Sequence, residues 1–352
     1  MCTARSLNEK MRDPIKYVDA IKEATEQLLL SDSRVFVLGL GVPQNTGGVG
    51  ALAKAYPTRV LDTPTSEAAL TGLAVGASIG GLRPVVFHDR VEFSLLASDQ
   101  MFTQAAKWRY MFGGEGGSAP ITLRIMIGRQ WGNGPQHSQT FYGMFGGVTG
   151  LRVVIPSSPY MAKGLLAAAV RSEDPVVLLE PKWLYGVKQQ VPEELYEVPL
   201  DKAQVIKEGS DITVVAYGDA LLAARQALEL IGDDAARVEL VDLVSLKPID
   251  HDTIHASINK TGRLLTVDTT SGAFSIGSEI ISKAAQHCKL KEAPRAVAAP
   301  DVPVPTTPAL AEFWYPTKVD VANTLLGMLG KPLLDIKLSF EELHMAPSTT
   351  LS

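Results

Sequence analysis

The sequence predicts an α/β protein built as two doubly wound domains, and three observations carry that prediction. Short uninterrupted apolar runs alternate with stretches whose apolar residues recur at helical spacing, the pattern of parallel strands buried on both faces beneath covering helices. The alternation stops at a polar stretch, residues 188–208, which contains Pro192 and Pro199, and then restarts. A chain of 352 residues also exceeds one ordinary hydrophobic core.

Residues 15–30 space apolar positions between Lys16, Asp19, Lys22 and Glu26, which reads as an amphipathic helix. Residues 35–41 form a buried strand running into a glycine-rich loop, 39–50. The loop completes neither the G-x-G-x-x-G nor the G-x-x-x-x-G-K-[ST] pattern, so a flexible connection at a strand end is expected. A strand ending at Asp62 leads through a turn into a helix over 66–80. Further strands fall at 84–87, 121–127, 151–155 and 176–179, separated by helices over 94–112 and 157–171. Beyond the linker, strands at 212–217, 238–242, 264–267 and 296–299 make a second, smaller α/β domain. The chain thus divides into a flexible N-terminus (1–14), a first domain (15–187), a linker (188–208), a second domain (209–330), and a surface arm with a loose polar tail (331–352).

Hydrophobic residues at 46% and charged residues at 20% describe a folded globular chain. A net charge of -5 provides no basic footprint, so no nucleic-acid partner is expected. Cys2 and Cys288 are too few and too far apart for a disulfide framework or a metal cluster. The opening MCTARSLNEKMRD lacks the apolar centre of a secretion signal, and no run approaches a membrane span. A cytoplasmic location is expected, with Arg5, Lys10 and Arg12 leaving an organelle import signal open.

The rest of the chain is organised around LDTPTSEAALTGLAVG, residues 61–76. Asp62, Pro64 and Ser66 carry turn and N-cap chemistry, and Glu67 falls in the first helical turn. Gly72, Gly76, Gly80 and Gly81 leave a smooth face for close approach by another backbone or a ring. An acid at a helix start is favoured by the helix dipole alone. Its surroundings raise Glu67 above that: VLDTPTSEAALTGLAVGASIGGLRPVV at 60–86 is followed by FSLLASDQ at 93–100, AAKWRYMFGG at 105–114, GPQHSQ at 134–139, GLRVVIP at 150–156 and DPVVLLE at 174–180. SLKPID at 245–250 and PDVPVP at 300–305 follow as weaker echoes. In this order and spacing, the chain resembles the β subunits of thiamine-diphosphate-dependent 2-oxoacid dehydrogenases, the decarboxylating first component of the pyruvate, branched-chain and acetoin dehydrogenase complexes.

The resemblance implies an N-terminal thiamine-pyrimidine-binding domain with a parallel sheet and a transketolase C-terminal-like second domain. It implies that Glu67 protonates the cofactor's pyrimidine ring and that Thr65 and Phe93 line that ring. It further implies that His137 faces the reacting carbon and handles the substrate or the lipoyl thiol; the plainer reading is a histidine that fixes its loop by hydrogen bonds. Enzymes of this kind hold magnesium and the diphosphate through a G-D-G segment with a later Asn, and no G-D-G occurs in this sequence. The nearest approach, YGDA at 217–220, lies in the second domain. An α subunit is therefore expected to bring the magnesium and diphosphate half, giving an α2β2 assembly with active sites between subunits.

Three departures concern the substrate and ions. HDRVE at 88–92 and the Arg129 segment replace apolar text of the relatives, so His88, Arg90 and Arg129 either bind a carboxylate, phosphate or sugar hydroxyl, or pair with Asp89, Glu92 or the α subunit. Gly39-Leu40-Gly41 replaces a common Gly-Glu-Glu or Gly-Glu-Asp. The relatives' potassium segment corresponds to Ala169 through Asp174, where Ser172 stands in the place of an Asp. The expected function is decarboxylation of a 2-oxoacid with acyl transfer to a lipoyl carrier. The alternative is a split transketolase-like enzyme moving a two-carbon ketol unit from a ketose phosphate to a carrier or aldehyde, and a third reading is a scaffold that keeps the fold without the chemistry.

Overall fold

In this computed structural model, residues 12–112, 117–129 and 132–351 are described. Most of the N-terminal segment expected to be flexible, Cys2, the glycines ending the 105–114 motif, and Gln130 and Trp131 lie outside them.

The chain opens with β1 (Ile15–Lys16), α1 (Tyr17–Ser31), β2 (Val35–Gly39), β3 (Val60–Asp62), α2 (Glu67–Ile79) and β4 (Arg83–His88). Short helices α3 (Val91–Ser94) and α4 (Ala106–Met111) precede β5 (Thr122–Ile127), α5 (Tyr142–Gly146), β6 (Arg152–Val154), α6 (Pro159–Arg171), β7 (Val176–Pro181) and β8 (Lys188–Gln189). The second half comprises β9 (Gln204–Lys207), β10 (Ile212–Ala216), α7 (Asp219–Leu230), β11 (Val238–Asp242), β12 (Ser245–Lys247), α8 (His251–Thr261), β13 (Leu264–Ser271), α9 (Ile276–His287) and β14 (Arg295–Ala299). It closes with α10 (Pro308–Ala311), α11 (Lys318–Met328), α12 (Phe340–His344) and β15 (Thr350–Leu351).

Every apolar run expected to be a strand is one, and the reason is burial. β4, β5, β7, β10 and β11 are buried at every position, so they read as continuous runs rather than alternations. Among the described residues the first sheet has the order β12-β6-β7-β5-β4-β2-β3 and is parallel except at β12. The second, β14-β13-β10-β11-β9, is parallel except at β9. α1 buries Tyr17, Ala20, Ile21, Ala24, Thr25, Leu28 and Leu29, the helical stripe its spacing predicts, against α6.

The structure corrects two expectations, the placing of β12 and the looseness of the tail. β12, read as part of the second domain, pairs Ser245 with Val154 and closes the edge of the first sheet. The stretch expected as the linker contains β8 and β9. The tail is not loose: Thr350 and Leu351 pair with Lys188 and Gln189, and the Lys188 N–H donates to Thr349 O at 2.8 Å. These pairings use backbone groups that any residue carries, so polar side chains gave no sign of them. The helix expected over 94–112 forms as a continuous helical stretch that starts with α3 and ends with α4, with a wide-turn segment over Asp99–Ala105 between them.

Candidate active site

β3, β2, β4 and β5 are neighbours, and the segments that follow them all leave from one edge of the sheet. The chain passes from β2 to β3 on one side and back to β4 on the other, so the carboxyl ends of β2 and β4 flank a point where strand order reverses, a place where open α/β sheets bind ligands. The loop after β2, Glu67 after β3, Phe93 after β4 and His137 after β5 are all delivered to this edge.

The loop after β2 is packed rather than flexible. It forms three short turns over Val42–Gln44, Thr46–Gly48 and Gly50–Ala53. Gly47 sits at φ 75° against the Phe87 ring, where an added Cβ would come within 2.8 Å of that ring, so both conformation and space require glycine. Asp62 ties the loop to the end of β3 by accepting from Gly41 N–H at 2.8 Å and Thr63 N–H at 2.9 Å.

That turn presents Glu67. Ser66 occupies the N-cap position of α2 but makes no side-chain cap bond, contrary to expectation, and its N–H donates to Pro64 O at 2.8 Å instead. Glu67 is half-buried, and its carboxylate has no hydrogen-bond or ion-pair partner among the described residues. Thr65 beside it is exposed, as are Gly72 and Gly76 on the same helix. A Cβ on Gly76 would meet nothing within 4 Å, so the smooth face of α2 is open.

Phe93, 38% exposed, turns an open ring to the same edge. His137 meets that ring edge-on, with centroids 5.4 Å apart. The histidine loop is bound at its base: Gly128 N–H donates to Gln139 O at 2.9 Å and Gln139 N–H to Glu92 Oε1 at 2.7 Å. Glu67, Phe93 and His137 therefore share one edge, and Phe93 and His137 are in contact.

The three cations singled out as substrate groups are placed differently. His88 is 2% exposed, lies 3.2 Å from Thr71 Oγ1 through Nε2, and burial pushes its pKa down to about 4, so the ring is neutral. Arg90 is buried and donates to Gly128 O at 3.2 Å, a brace on the histidine loop. Arg129 is half-buried with its guanidinium 3.6 Å from the Trp183 ring centroid and 4.7 Å from that of Tyr315, and it donates to Leu343 O at 3.3 Å. The structure thus engages all three with groups of the chain itself. Among the described residues none of the three forms a salt bridge with Asp89 or Glu92: Asp89 is exposed and Glu92 takes the Gln139 amide.

In the segment from Ala169 to Asp174, the Asp174 carboxylate pairs with Arg109 at 2.8 Å and Arg152 at 3.3 Å, and Arg83 donates to Ser172 O at 2.5 Å. Asp219 of the YGDA stretch opens α7, where burial raises its pKa and Thr269 donates to it at 3.2 Å. Among the described residues no group of three or more His, Cys, Asp or Glu is arranged to hold a metal.

Sequence reading missed the support beneath this edge. Arg124 and Glu180, both fully buried, form a two-pronged pair at 2.6 and 2.9 Å; Arg124 also donates to Gly47 O at 2.9 Å, and Tyr185 donates to Glu180 at 2.9 Å. The Arg124 guanidinium lies 5.2 Å from the Phe87 ring centroid. A charge inside one apolar strand run, Arg124, and another at the end of the neighbouring run, Glu180, were the available signal, because such charges are buried only when paired.

Residues 13–188 match the transketolase pyrimidine-binding domain family, and residues 201–321 match the transketolase C-terminal domain family. The chain is 38% identical over 339 residues to the acetoin:2,6-dichlorophenolindophenol oxidoreductase subunit beta of Bacillus subtilis (strain 168), covering 91% of this chain and 99% of that protein. It is 38% identical to the 2-oxoisovalerate dehydrogenase subunit beta of the same organism, covering 88% and 97%. With pyruvate dehydrogenase E1 component subunit beta-2, mitochondrial, of Oryza sativa subsp. japonica it shares 37% identity, covering 87% and 84%. A solved split gene transketolase, an inactive beta4 tetramer, shares the fold with a TM-score of 0.73 at 22% identity, covering 90% of this chain and 99% of that one. The chain belongs to the family of β subunits of thiamine-diphosphate-dependent 2-oxoacid dehydrogenases, with the pyrimidine-binding and C-terminal domains of the transketolase fold.

Proposed function

We propose that this chain supplies the pyrimidine-side half of an active site that decarboxylates a 2-oxoacid and passes the acyl unit to a lipoyl carrier. The observation that carries the reading is the delivery of Glu67, Phe93 and His137 to one edge of the sheet, with Glu67 and Phe93 still open to a second surface. Thiamine diphosphate fits this edge: an unpartnered carboxylate at a helix start and an open aromatic face are what a basic, planar ring requires. When bound, it supplies the nucleophilic carbon and the electron sink for cleavage next to a ketone.

The residues of the chain do the rest. Glu67 holds a proton on a carboxylate oxygen and shares it with a ring nitrogen, which needs a low-dielectric setting that a partner surface completes over the half-buried side chain. Phe93, with Thr65 beside Glu67, lines the ring and excludes water from it. His137 exchanges a proton at an imidazole nitrogen with the donor carbonyl or the acceptor thiol. The smooth open face of α2 at Gly72 and Gly76 suits close approach by another subunit.

The partner is an α subunit with the G-D-G and Asn motif, in an α2β2 complex to which it brings magnesium; this sequence has no G-D-G of its own. The ketose-phosphate alternative drew on His88, Arg90 and Arg129, and with those groups engaged inside the chain no observation favours it. Potassium is left out of the proposal because the carboxylate in its segment is already neutralised by two arginines. We place the complex in the cytoplasm, and cell fractionation tests that; no helix among the described residues is long and apolar enough to cross a membrane.

The testing experiment is calorimetric titration of thiamine diphosphate with magnesium into the chain alone and into the chain with its α partner. Tight binding and dye reduction with a 2-oxoacid donor are expected only in the pair. Tight magnesium-dependent binding by the isolated chain would refute the half-site reading. A panel of pyruvate, a branched oxoacid, acetoin and a ketose phosphate sorts the donor.

A further inference from the structure

We propose that the C-terminal arm, residues 331–351, sets the position of the histidine loop through Arg129, which makes Arg129 a positioning residue for His137. The inference rests on the proposed role of His137 and concerns how that role is maintained.

The described residues of the loop, Gly128, Arg129 and 132–139, are held from three directions. From the first domain, Arg90 takes Gly128 O and Glu92 takes the Gln139 N–H. From the second domain, Thr306 closes on the turn at Gly134, where an added Cβ would lie 2.4 Å from the threonine hydroxyl and φ is 66°. From the arm, Leu343 O receives the Arg129 guanidinium at 3.3 Å. That guanidinium also faces Trp183 of the first domain and Tyr315 of the second, at 3.6 and 4.7 Å from their ring centroids. One planar cation thus joins the start of the loop to three separate parts of the chain, and planarity is what allows a guanidinium to face rings while its edge donates in plane.

The arm is built to hold this place. Ser339 and Glu342 form a capping box that starts α12, and Glu342 pairs with Lys318 at 2.6 Å. The end of the arm is fixed by β15 on β8, and a Cβ on Gly186 would strike Pro347 O at 2.8 Å. Between these anchors the arm spans a cavity of about 440 Å³ lined by Arg129, Trp183, Asp219 and Lys318. The arm is also tied to the second domain by Asn323, which bonds both backbone groups of Leu334, and its contact with Arg129 leads to the histidine loop.

The test uses Arg129→Ala, Arg129→Lys and a chain ending at residue 337, which lacks α12 and β15. Hydrogen exchange of the isolated chains is read first. The 128–140 peptide is expected to exchange at least about tenfold faster in Arg129→Ala and in the shortened chain, while β10, β11 and β13 keep their protection. Each chain is then paired with the α subunit, and dye reduction is followed with pyruvate, a branched oxoacid and acetoin. A misplaced catalytic group costs about tenfold to a hundredfold in kcat, with KM nearly unchanged, and Arg129→Lys falls between because it keeps charge but not planarity. Unchanged exchange at 128–140 overturns the proposal. Faster exchange with full kcat overturns the link to His137. If His137→Gln leaves turnover intact in the same assay, the proposed role of His137 fails instead, and the exchange result still decides whether the arm holds the loop.

Discussion

The open edge of the first sheet and the layer just beneath it use charge in opposite ways. On the edge, Glu67 is half-buried with no hydrogen-bond or ion-pair partner among the described residues, and Phe93 is exposed. Beneath it, Arg124 and Glu180 are wholly buried and paired with each other, with further bonds from Arg124 to Gly47 and from Tyr185 to Glu180. Isolated charges are costly to bury and are found inside only when paired, so the lower layer is a closed support. The edge is half of something, since a group with no internal partner gains from a ligand or a second subunit. The difference teaches that catalytic candidates in a shared site are better found by what they lack than by what they contact.

The largest effect that tests this contrast is on turnover. Glu67→Gln is isosteric and removes only the exchangeable proton, so the assembled enzyme should lose about 100- to 10,000-fold in kcat, the range for a missing general acid. Because the side chain makes no hydrogen bond or ion pair among the described residues, the free energy of unfolding should stay within about 0.5 kcal/mol of wild type. Equal losses of stability and activity would place Glu67 in the support layer instead.

The converse belongs to Glu180. Glu180→Ala strands Arg124 in the core and should cost about 3–5 kcal/mol in chemical denaturation. The double variant Arg124→Met with Glu180→Leu should be milder than Glu180→Ala, because it removes both charges and keeps volume. If the double variant is the worse of the two, the pair is not the closed support described here.

The third test uses pH. Folded His88 has a pKa of about 4, below the ordinary histidine value near 6.5, so the fold prefers its neutral form. Its contribution is complete above pH 6.5 and lost as pH falls from there towards 4, amounting to about 2 kcal/mol by pH 5. Asp242 and Asp268 run the other way: burial raises each to about 6, so they weaken the fold as pH rises from about 4 to 6. Comparing wild type with His88→Gln at pH 7 and pH 5 isolates the histidine, and the wild type alone should show its extra loss. An equal pH dependence in both would mean that His88 is solvated and free to meet a substrate.

What the sequence made legible follows the same division. The strands of both sheets were visible because two-sided burial leaves uninterrupted runs such as VVLL at 176–179. Glu67, Phe93 and His137 were visible because each follows a strand end in text shared with a known family. The direction of His88, Arg90 and Arg129 was not, because a charged letter does not say whether its side chain meets solvent, a ring or a carbonyl. Neither was the passage of β12 into the first sheet or the pairing of β15 with β8, since backbone pairing leaves no mark on side-chain pattern.

The smallest effect lies where the two layers meet. Thr71 stands one helical turn after Glu67, fully buried, and its hydroxyl reaches His88 Nε2 at 3.2 Å, joining the helix that presents the acid to the strand below it. Thr71→Val keeps the shape and deletes the hydrogen bond, leaving a buried imidazole nitrogen unsatisfied, for about 1–2 kcal/mol of stability. Glu67 is not itself touched, so kcat should fall by less than about tenfold, through a small change in how firmly the first turn of α2 is held. Adding His88→Leu to Thr71→Val removes the stranded nitrogen and should recover part of the lost stability, as expected when the cost lies in an unsatisfied polar group. Additive losses in the two variants would show that Thr71 and His88 act independently and that α2 is held to β4 by packing alone.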